Sequence, residues 1–285
     1  MSAEPAPCIK RKVLVAVGTR PEAIKLLPLV QALEASERIK PFVVATGQHP
    51  GIVEDIFSTG GVSVDVNLGV GRPGITLNEL FSTVVSRFQE VFVEHFGVDA
   101  GGGPTRDHDV FPSVAVVHGD TSSAAAMAVA AFHLQVPVAH IEAGLRTSDT
   151  RSPFPEELNR QIISRIAAFH LAPTWHNQQN LVRENVPAAR IFVTGNTAID
   201  TLMWAAEQDV PYGVPELEPL ENDDTSQVVV VTAHRRENWG PASNGSVRPS
   251  TGLPSRTRRC GSCCRCTPTR RSPRRCARSS TGTRT

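Results

Sequence analysis

Residues 113–141 read SVAVVHGDTSSAAAMAVAAFHLQVPVAHI, and this stretch decides the fold. Ser113–His118 is a run of small and β-branched apolar residues, which predicts a buried strand. Ser122–Leu134 is rich in alanine, the residue with the highest helix propensity, and Pro137–Ile141 again has the pattern of a strand. A strand, a helix and a second strand in so short a stretch predict a βαβ unit, in which the two strands are parallel.

The same alternation continues on both sides of this unit. The further predicted strands are Lys12–Gly18, Pro41–Thr46, Phe169–Ala172 and Ile191–Thr194, and the further predicted helices are Pro21–Ala35, Thr76–Phe96, Glu157–Ala168, Trp175–Glu184 and Thr197–Gln208. Repeated units of this kind predict the α/β class, here a doubly wound parallel sheet of Rossmann-like type with helices on both faces. Ligands of such sheets bind at the carboxyl ends of the strands.

The net charge of +1 is an average over two unlike parts of the 285 residues. Residues 241–285 contain eleven arginines, no lysine and no acidic residue, whereas residues 1–240 carry a net charge of −10. The acidic body argues against nucleic acid as a partner, and no stretch approaches the ~20 apolar residues of a membrane span. No apolar signal sequence follows the basic run Lys10–Lys12, which predicts a cytoplasmic protein with no membrane partner.

These shifts in composition predict three segments. Residues 1–210 form an N-terminal Rossmann-like catalytic domain, and residues 211–240 form a linker and the first strand, Val228–Thr232, of an incomplete second domain. Residues 241–285 have too few apolar side chains to offset their ordering entropy and are predicted to be a disordered, cysteine-rich tail. A basic arm for nucleic acid or membranes and a metal site at the five tail cysteines are weaker alternatives, because the tail lacks lysine and aromatic residues and its cysteine spacing matches no zinc pattern.

The turn after the first predicted strand, Gly18–Lys25, suits an anion. A glycine turn into a helix N-terminus presents backbone N–H groups and the positive end of the helix dipole, and Arg20 and Lys25 add two cations. A solvated helix start is the plainer alternative. Neither GxGxxG nor GxxxxGK[ST] is present, so this turn is neither a dinucleotide fingerprint nor a P-loop.

Three carboxylates follow predicted strands or open predicted helices on separate loops. Asp120 can simply cap the next helix, and Glu156 can simply be a partner of the helix dipole. Glu142 directly follows a buried strand, so its charge is expected to face the cleft. If Asp120, Glu142 and Glu156 meet in one cleft, they place groups suited to proton transfer together, and their mutual repulsion is expected to raise some of their pKa values.

Other polar and aromatic residues carry weaker signals. His234 follows the strand Val228–Thr232 beside two arginines and is a candidate contact for an anion or a leaving group. No HExxH or comparable spacing occurs, so no metal site is predicted. Asn196 is expected in a left-handed turn conformation, and the tryptophans, Trp175 among them, in the core or at a domain contact.

Seven motifs in order resemble the non-hydrolysing UDP-N-acetylglucosamine 2-epimerases over about residues 12–238. They are GTRPEAIKLLPLV, TGQH, VHGDT, IEAGLRT, SPFPEELNRQ, RIFVTGNTAID and VVTAHRREN. The resemblance implies interconversion of UDP-N-acetylglucosamine and UDP-N-acetylmannosamine by elimination and re-addition of UDP. It also implies no redox cofactor, a two-domain architecture like that of the B-type glycosyltransferases, and a homodimer in an intact member.

The resemblance also implies roles for residues at the matching motif positions. Asp120, Glu142 and Glu156 match the acid/base carboxylates, and His234 matches a residue that contacts UDP or assists its departure.

Four further residues match binding positions. Arg20 and Lys25 match contacts to the substrate. Gln48 and His49 match a loop that, in bacterial members, helps to bind a second, activating UDP-N-acetylglucosamine.

The sequence departs from the family after Trp239-Gly240, where the family continues with a complete second domain and this chain becomes rich in Arg, Ser, Thr, Pro and Cys. Such a change is typical of a frameshift. The alternative function is therefore a truncated, inactive remnant that at most binds sugar nucleotide weakly. A hydrolysing relative that releases N-acetylmannosamine is a third alternative, although the GTRPEAIK and HRREN motifs favour the non-hydrolysing branch.

Overall fold

The computed structural model describes residues 10–97, 111–208 and Pro219, and all the elements below lie in a compact unit that ends at Val210. The strands are β1 (Arg11–Val17), β2 (Ile39–Ala45), β3 (Val66–Asn67), β4 (Val114–His118), β5 (Val138–Ile141), β6 (Phe169–Ala172) and β7 (Ile191–Val193). The α-helices are α1 (Arg20–Glu34), α2 (Ile52–Thr59), α3 (Leu77–Phe96), α4 (Ser122–His133), α5 (Glu156–Ile166), α6 (Trp175–Arg183) and α7 (Thr197–Ala206), and a short 3₁₀ turn spans Ala188–Arg190.

The strands form one parallel sheet in the order β3-β2-β1-β4-β5-β6-β7. The chain first winds outward from β1 to β3, then returns to the middle and winds the other way from β4 to β7. This arrangement confirms the predicted doubly wound sheet. The order reverses between β1 and β4, so a crevice for a ligand is expected outside their carboxyl ends.

Two apolar clusters cover the two faces of the sheet. On one face α3 contributes the rings of Phe88, Phe92 and Phe96, all buried, against the alanine-rich helix α4. On the other face α1 packs Leu26, Leu27 and its neighbours against the strands. The small side chains of α4 let this helix lie close to its neighbours α3 and α5, which fixes its N-terminus at the crevice.

The predicted elements within the described residues begin and end within two residues of the observed ones, whereas α2 and β3 were not predicted. Helix α2 begins after Gly51, which has a φ of +78° and no side-chain cap, and β3 has only two residues, so neither gives a strong local signal. Trp175 is 70% exposed, so it does not lie in the core, and its alternative place at a domain contact stays a prediction. The predicted second-domain strand 228–232 and the predicted tail 241–285 lie outside the described residues.

Candidate active site

The turn from β1 into α1 contains a buried carboxylate that the sequence prediction did not include. Glu22 is buried, and its Oε2 accepts hydrogen bonds from the backbone N–H groups of Gly18 and Thr19, at 2.8 and 2.7 Å. These two N–H groups are therefore occupied by a side chain of the same helix and do not face an anion, whereas the predicted contacts of Arg20 and Lys25 with substrate stay a prediction. Thr19 and Glu22 have capping-box spacing, which is the signal from which this contact could have been predicted.

Glu22 also contacts the turn between β4 and α4. Its Oε1 accepts a hydrogen bond of 2.6 Å from the hydroxyl of Thr121. The oxygen of Thr121 in turn accepts a hydrogen bond of 3.0 Å from the backbone N–H of Ala124, as the N-cap of α4. Burial raises the pKa of Glu22, and this effect outweighs the hydrogen bonds from Thr121 and from the β1–α1 turn, which lower it.

Asp120 does not cap α4, since Thr121 does. Its Oδ2 instead accepts hydrogen bonds from Nε and Nη2 of Arg160, at 2.9 and 2.8 Å. Its backbone carbonyl accepts a further hydrogen bond of 2.8 Å from Nδ2 of Asn159, so α5 holds the residue at two points. Arg160 also donates through Nη1 to Glu157, which is completely buried.

Glu157 has a structural role beside the site. Its oxygens accept hydrogen bonds from the backbone N–H groups of Thr147 and Ser148 and from the side chains of Arg160 and Gln161. Burial raises its pKa, but these hydrogen bonds outweigh burial and the net pKa is lowered. Glu157 therefore anchors the loop after β5 to the start of α5.

A cavity of about 240 Å³ lies at the carboxyl end of the sheet and brings two of the predicted carboxylates together. Its lining residues are Thr19, Gln48, Leu77, Leu80, Asp120, Thr121, Ser122, Pro155 and Glu156. Oε2 of Glu156 is buried and has no hydrogen-bond partner among the residues that the structure describes. A larger recess of about 410 Å³, lined by residues of α5 together with Glu184, contains none of the predicted site residues.

Glu142 lies in an adjoining cluster rather than in the lining of this cavity. Both of its oxygens accept hydrogen bonds from Nζ of Lys25, at 2.7 and 2.8 Å, and Oε1 accepts another of 3.2 Å from Nδ2 of Asn196. A Cβ added to Gly119 would lie 3.7 Å from Oε2 of Glu142. The carboxylate of Glu142 therefore lies next to the residue that precedes Asp120. Lys25, predicted to contact substrate, here binds a carboxylate of the site.

The backbone conformation of Asn196 differs from the prediction, and that of Glu142 was not predicted. Asn196 has an extended backbone with a φ of −116° and caps α7, so its predicted left-handed conformation is wrong. Glu142 has a φ of +63°, in the region that favours glycine. This conformation turns the chain sharply at the end of β5.

Three buried histidines lie on the neighbouring strands β4, β5 and β6, and two of them contact residues at the site. Nε2 of His118 lies 3.7 Å from Oε2 of Glu142, and burial lowers the pKa of His118 to about 4, although Glu142 raises it. His140 donates from Nε2 to the carbonyl oxygen of Gly119 at 2.7 Å, and burial lowers its pKa to about 3. His170 is also buried, which lowers its pKa to about 4. No sequence signal separated these histidines from ordinary core residues.

The remaining predicted residues lie around the cavity or beyond the described residues. Gln48 lines the cavity, and its Oε1 accepts a hydrogen bond of 2.8 Å from Ser123, whereas His49 is exposed. Arg20 is exposed and forms no ion pair with any residue in the described ranges. His234 lies outside those ranges.

Two negative findings apply to the described residues alone. No group of three or more His, Cys, Asp or Glu residues in 10–97 and 111–208 is arranged to hold a metal ion. None of the helices described here combines the length and the apolar character of a membrane-spanning segment.

Comparison with known proteins gives a consistent result. The family model described as UDP-N-acetylglucosamine 2-epimerase matches residues 31–248. The UDP-N-acetylglucosamine 2-epimerases of Salmonella typhimurium strain LT2 and Bacillus subtilis strain 168 are 38% and 40% identical to the chain, over 80% and 81% of it and over 58% and 56% of their own lengths. The crystal structure of UDP-GlcNAc 2-epimerase from Neisseria meningitidis bound to UDP-GlcNAc is 38% identical with a TM-score of 0.61, over 69% of this chain and 50% of that one. The chain thus spans between 50% and 58% of the lengths of these relatives.

Proposed function

Because the chain belongs to the UDP-N-acetylglucosamine 2-epimerase family, we propose that it interconverts UDP-N-acetylglucosamine and UDP-N-acetylmannosamine. These two sugar nucleotides differ only in the configuration at C2. The observation that carries the proposal is that Asp120 and Glu156 share one cavity at the carboxyl edge of the sheet. The bound UDP-GlcNAc named for the Neisseria structure supports the same class of substrate.

The reaction must invert a carbon whose hydrogen no neighbouring carbonyl group acidifies. In an elimination, a base takes the C2 proton, the C2–H electron pair forms the C1=C2 double bond, and the C1–O bond breaks with its electrons leaving on UDP. UDP then adds back to C1 of the 2-acetamidoglucal while an acid delivers a proton to the opposite face of C2. This sequence balances without a redox cofactor, and it requires acid/base groups and stabilisation of the charge on the departing UDP.

The carboxylates of the site are assigned to the proton transfers. Arg160 holds Oδ2 of Asp120, which leaves Oδ1 available to the sugar. Oε2 of Glu156 has no partner among the described residues, so it is available to exchange a proton in the same cavity. Glu142 is the third carboxylate, held beside the cavity by Lys25.

The cations are assigned to the departing diphosphate. Arg20 is exposed and close in sequence to the cavity residue Thr19, and Lys25 would exchange Glu142 for the substrate. His234 is assigned to the same group from its family motif alone. If UDP is retained and adds back, the outcome is epimerisation without hydrolysis. The protein is proposed to act as a homodimer in the cytoplasm.

One observation favours a second candidate, a chain that binds sugar nucleotide without turning it over. The chain covers 58% and 56% of the lengths of two relatives that are named as UDP-N-acetylglucosamine 2-epimerases. Whatever the remainder of those proteins contributes to catalysis is not matched by this chain. Binding of UDP-N-acetylglucosamine without product formation is the result that this candidate requires.

A solvent-exchange assay separates these outcomes. Purified protein 1–285 is incubated with UDP-N-acetylglucosamine in D₂O, and NMR follows UDP-N-acetylmannosamine and deuterium at C2. The proposal expects both, with loss of both in Asp120→Asn and Glu156→Gln and retention in Glu90→Gln, an exposed carboxylate on α3. Free N-acetylmannosamine with UDP would indicate the hydrolysing relative, and binding with no deuterium uptake would indicate the second candidate.

A further inference from the structure

A single buried carboxylate joins the two turns that meet at the switch point between β1 and β4. Glu22 accepts hydrogen bonds from Gly18 and Thr19 on one turn and from Thr121 on the other. We infer that Glu22 is a positioning residue, which fixes the Asp120–Thr121 turn against the Gly18–Thr19 turn and so sets one wall of the cavity. Its effect on catalysis rests on the proposed function, whereas its effect on the position of the two turns does not.

Apolar packing alone does not account for the contact between these turns. Helix α1 belongs to the apolar cluster on one face of the sheet and α4 to the cluster on the other. At the crevice the N-termini of α1 and α4 contact each other through polar groups. They can approach so closely because Gly18 has no side chain. A Cβ at Gly18 would lie 2.5 Å from Cβ of Ser123 and 3.1 Å from Oε2 of Glu22. The two turns therefore lie close enough for the carboxylate of Glu22 to bind both of them.

Thr121 transmits the position of Glu22 to Asp120. Its hydroxyl donates to Glu22 at 2.6 Å while its oxygen accepts from the N–H of Ala124 at 3.0 Å, so the side chain is held from both sides. Asp120 directly precedes it and is held on its other side by Arg160 and Asn159. Loss of the Glu22 contact removes one of the supports that define where the carboxylate of Asp120 meets the cavity.

The substitution Glu22→Gln tests this link with little change in shape. The glutamine oxygen can accept both backbone N–H groups as Oε2 does, but the amide then presents N–H to Thr121 instead of accepting its proton. Thr121→Val removes the hydroxyl and serves as the second variant if Glu22→Gln does not fold, and Thr121→Ser restores the hydroxyl. Thr174→Val is the matched control, because Thr174 caps α6 in the same way as Thr121 caps α4, at a helix that contributes no residue to the cavity.

The decisive measurement is the NMR spectrum of the purified 1–285 chain, at the backbone amides of Gly18, Thr19 and Asp120 and the side-chain carboxyl carbon of Asp120. We expect Glu22→Gln to shift the signals of Asp120, and Thr121→Val to shift the amides of Gly18 and Thr19, so that each change crosses to the other turn. Thr121→Ser should restore the wild-type positions, and Thr174→Val should leave them unchanged while lowering stability. Signals that shift only on the substituted turn would overturn the inference and leave Glu22 a local cap of α1.

Kinetics give a second readout that a purely structural role would not produce. If positioning of Asp120 is lost, kcat should fall about tenfold or more with KM within about twofold, since small misplacements of reacting groups act on the chemical step. An equal rise in KM with unchanged kcat would contradict positioning. A wild-type chain without turnover would reject the proposed function, while the NMR comparison would still decide the inference.

Discussion

Nζ of Lys25 lies 2.7 and 2.8 Å from the two carboxylate oxygens of Glu142, which joins the first helix of the chain to the end of β5. The side chains are 24% and 14% exposed, so the pair is largely withdrawn from water. The same lysine is proposed to contact the diphosphate. Its support of Glu142 can be measured in the absence of substrate.

Lys25→Met is expected to lower the free energy of unfolding by about 1–3 kcal/mol, because it leaves Glu142 without its principal hydrogen-bond donor. Glu142→Gln should cost less, since the amide oxygen still accepts a hydrogen bond from Lys25. Urea unfolding of the two single variants and the double variant measures the coupling between them. Additive changes would show that the two groups do not depend on each other.

Arg160→Lys is expected to impair the site although it keeps the positive charge. A lysine has no planar fork, so it cannot donate to Asp120 through two nitrogens and to Glu157 through a third, as Arg160 does. The rate of deuterium uptake at C2 should fall by about ten- to a hundredfold, the scale of a misplaced catalytic group. A rate equal to that of the wild type would mean that charge alone is sufficient at this position.

Acid should destabilise the protein as the pH falls from 6.5 to about 3. The pKa values of His118, His140 and His170 are lowered to about 4, 3 and 4 by burial, so the unfolded chain binds protons in this range while the folded chain does not. The stability from each neutral histidine is present above pH 6.5 and is lost as the pH falls through its folded pKa, with a slope of up to about 1.4 kcal/mol per pH unit for each group.

His140→Gln tests this pH dependence. The glutamine N–H can replace Nε2 as donor to the carbonyl of Gly119, but it does not titrate. The free energy of unfolding, measured by urea denaturation at several pH values, should depend less steeply on pH in the variant. Parallel curves for variant and wild type would show that His140 does not contribute to the acid sensitivity.

Gly18→Ala should destabilise the fold by about 1–3 kcal/mol, the usual cost of overpacking, because its Cβ would lie 2.5 Å from Cβ of Ser123. Combining Gly18→Ala with Ser123→Gly removes the atom that clashes and should recover part of the loss. Thermal unfolding of the single and double variants provides the comparison. A double variant no more stable than the sum of the two single changes would point to the contact with Glu22 as the dominant clash.

Local sequence patterns predicted most of this fold because each long element carries its own local signal. Ser122–Leu134, for example, was identified from its alanines alone, and the seven motifs identified the family that the comparisons confirm. By contrast, α2 buries only Val53 and Phe57 behind an uncapped start, and β3 is too short to show a period. Their positions depend on the rest of the sheet, which local patterns do not encode.

The candidate site was predicted less completely, because its contacts join residues distant in sequence. Asp120 and Glu156 were both selected from their places at strand and helix ends, and the cavity brings them together. Arg160 was missed, since nothing near it in sequence marks it as the partner of a carboxylate 40 residues away. The link from Glu22 to Thr121 spans 99 residues and has no local signal either. The contact of Glu22 with Thr19 does have one, the spacing of a capping box.

Because Glu142 has a left-handed backbone conformation, stability favours glycine at this position, whereas the proposed reaction requires a carboxylate. A non-glycine residue in this conformation costs about 1 kcal/mol or more relative to glycine, and removing both members of the ion pair together leaves no unpaired charge behind. A laboratory selection for heat resistance alone should therefore accept a chain with glycine at 142 and methionine at 25. Such a chain would keep the fold and lose one of the three carboxylates on which epimerisation is proposed to depend.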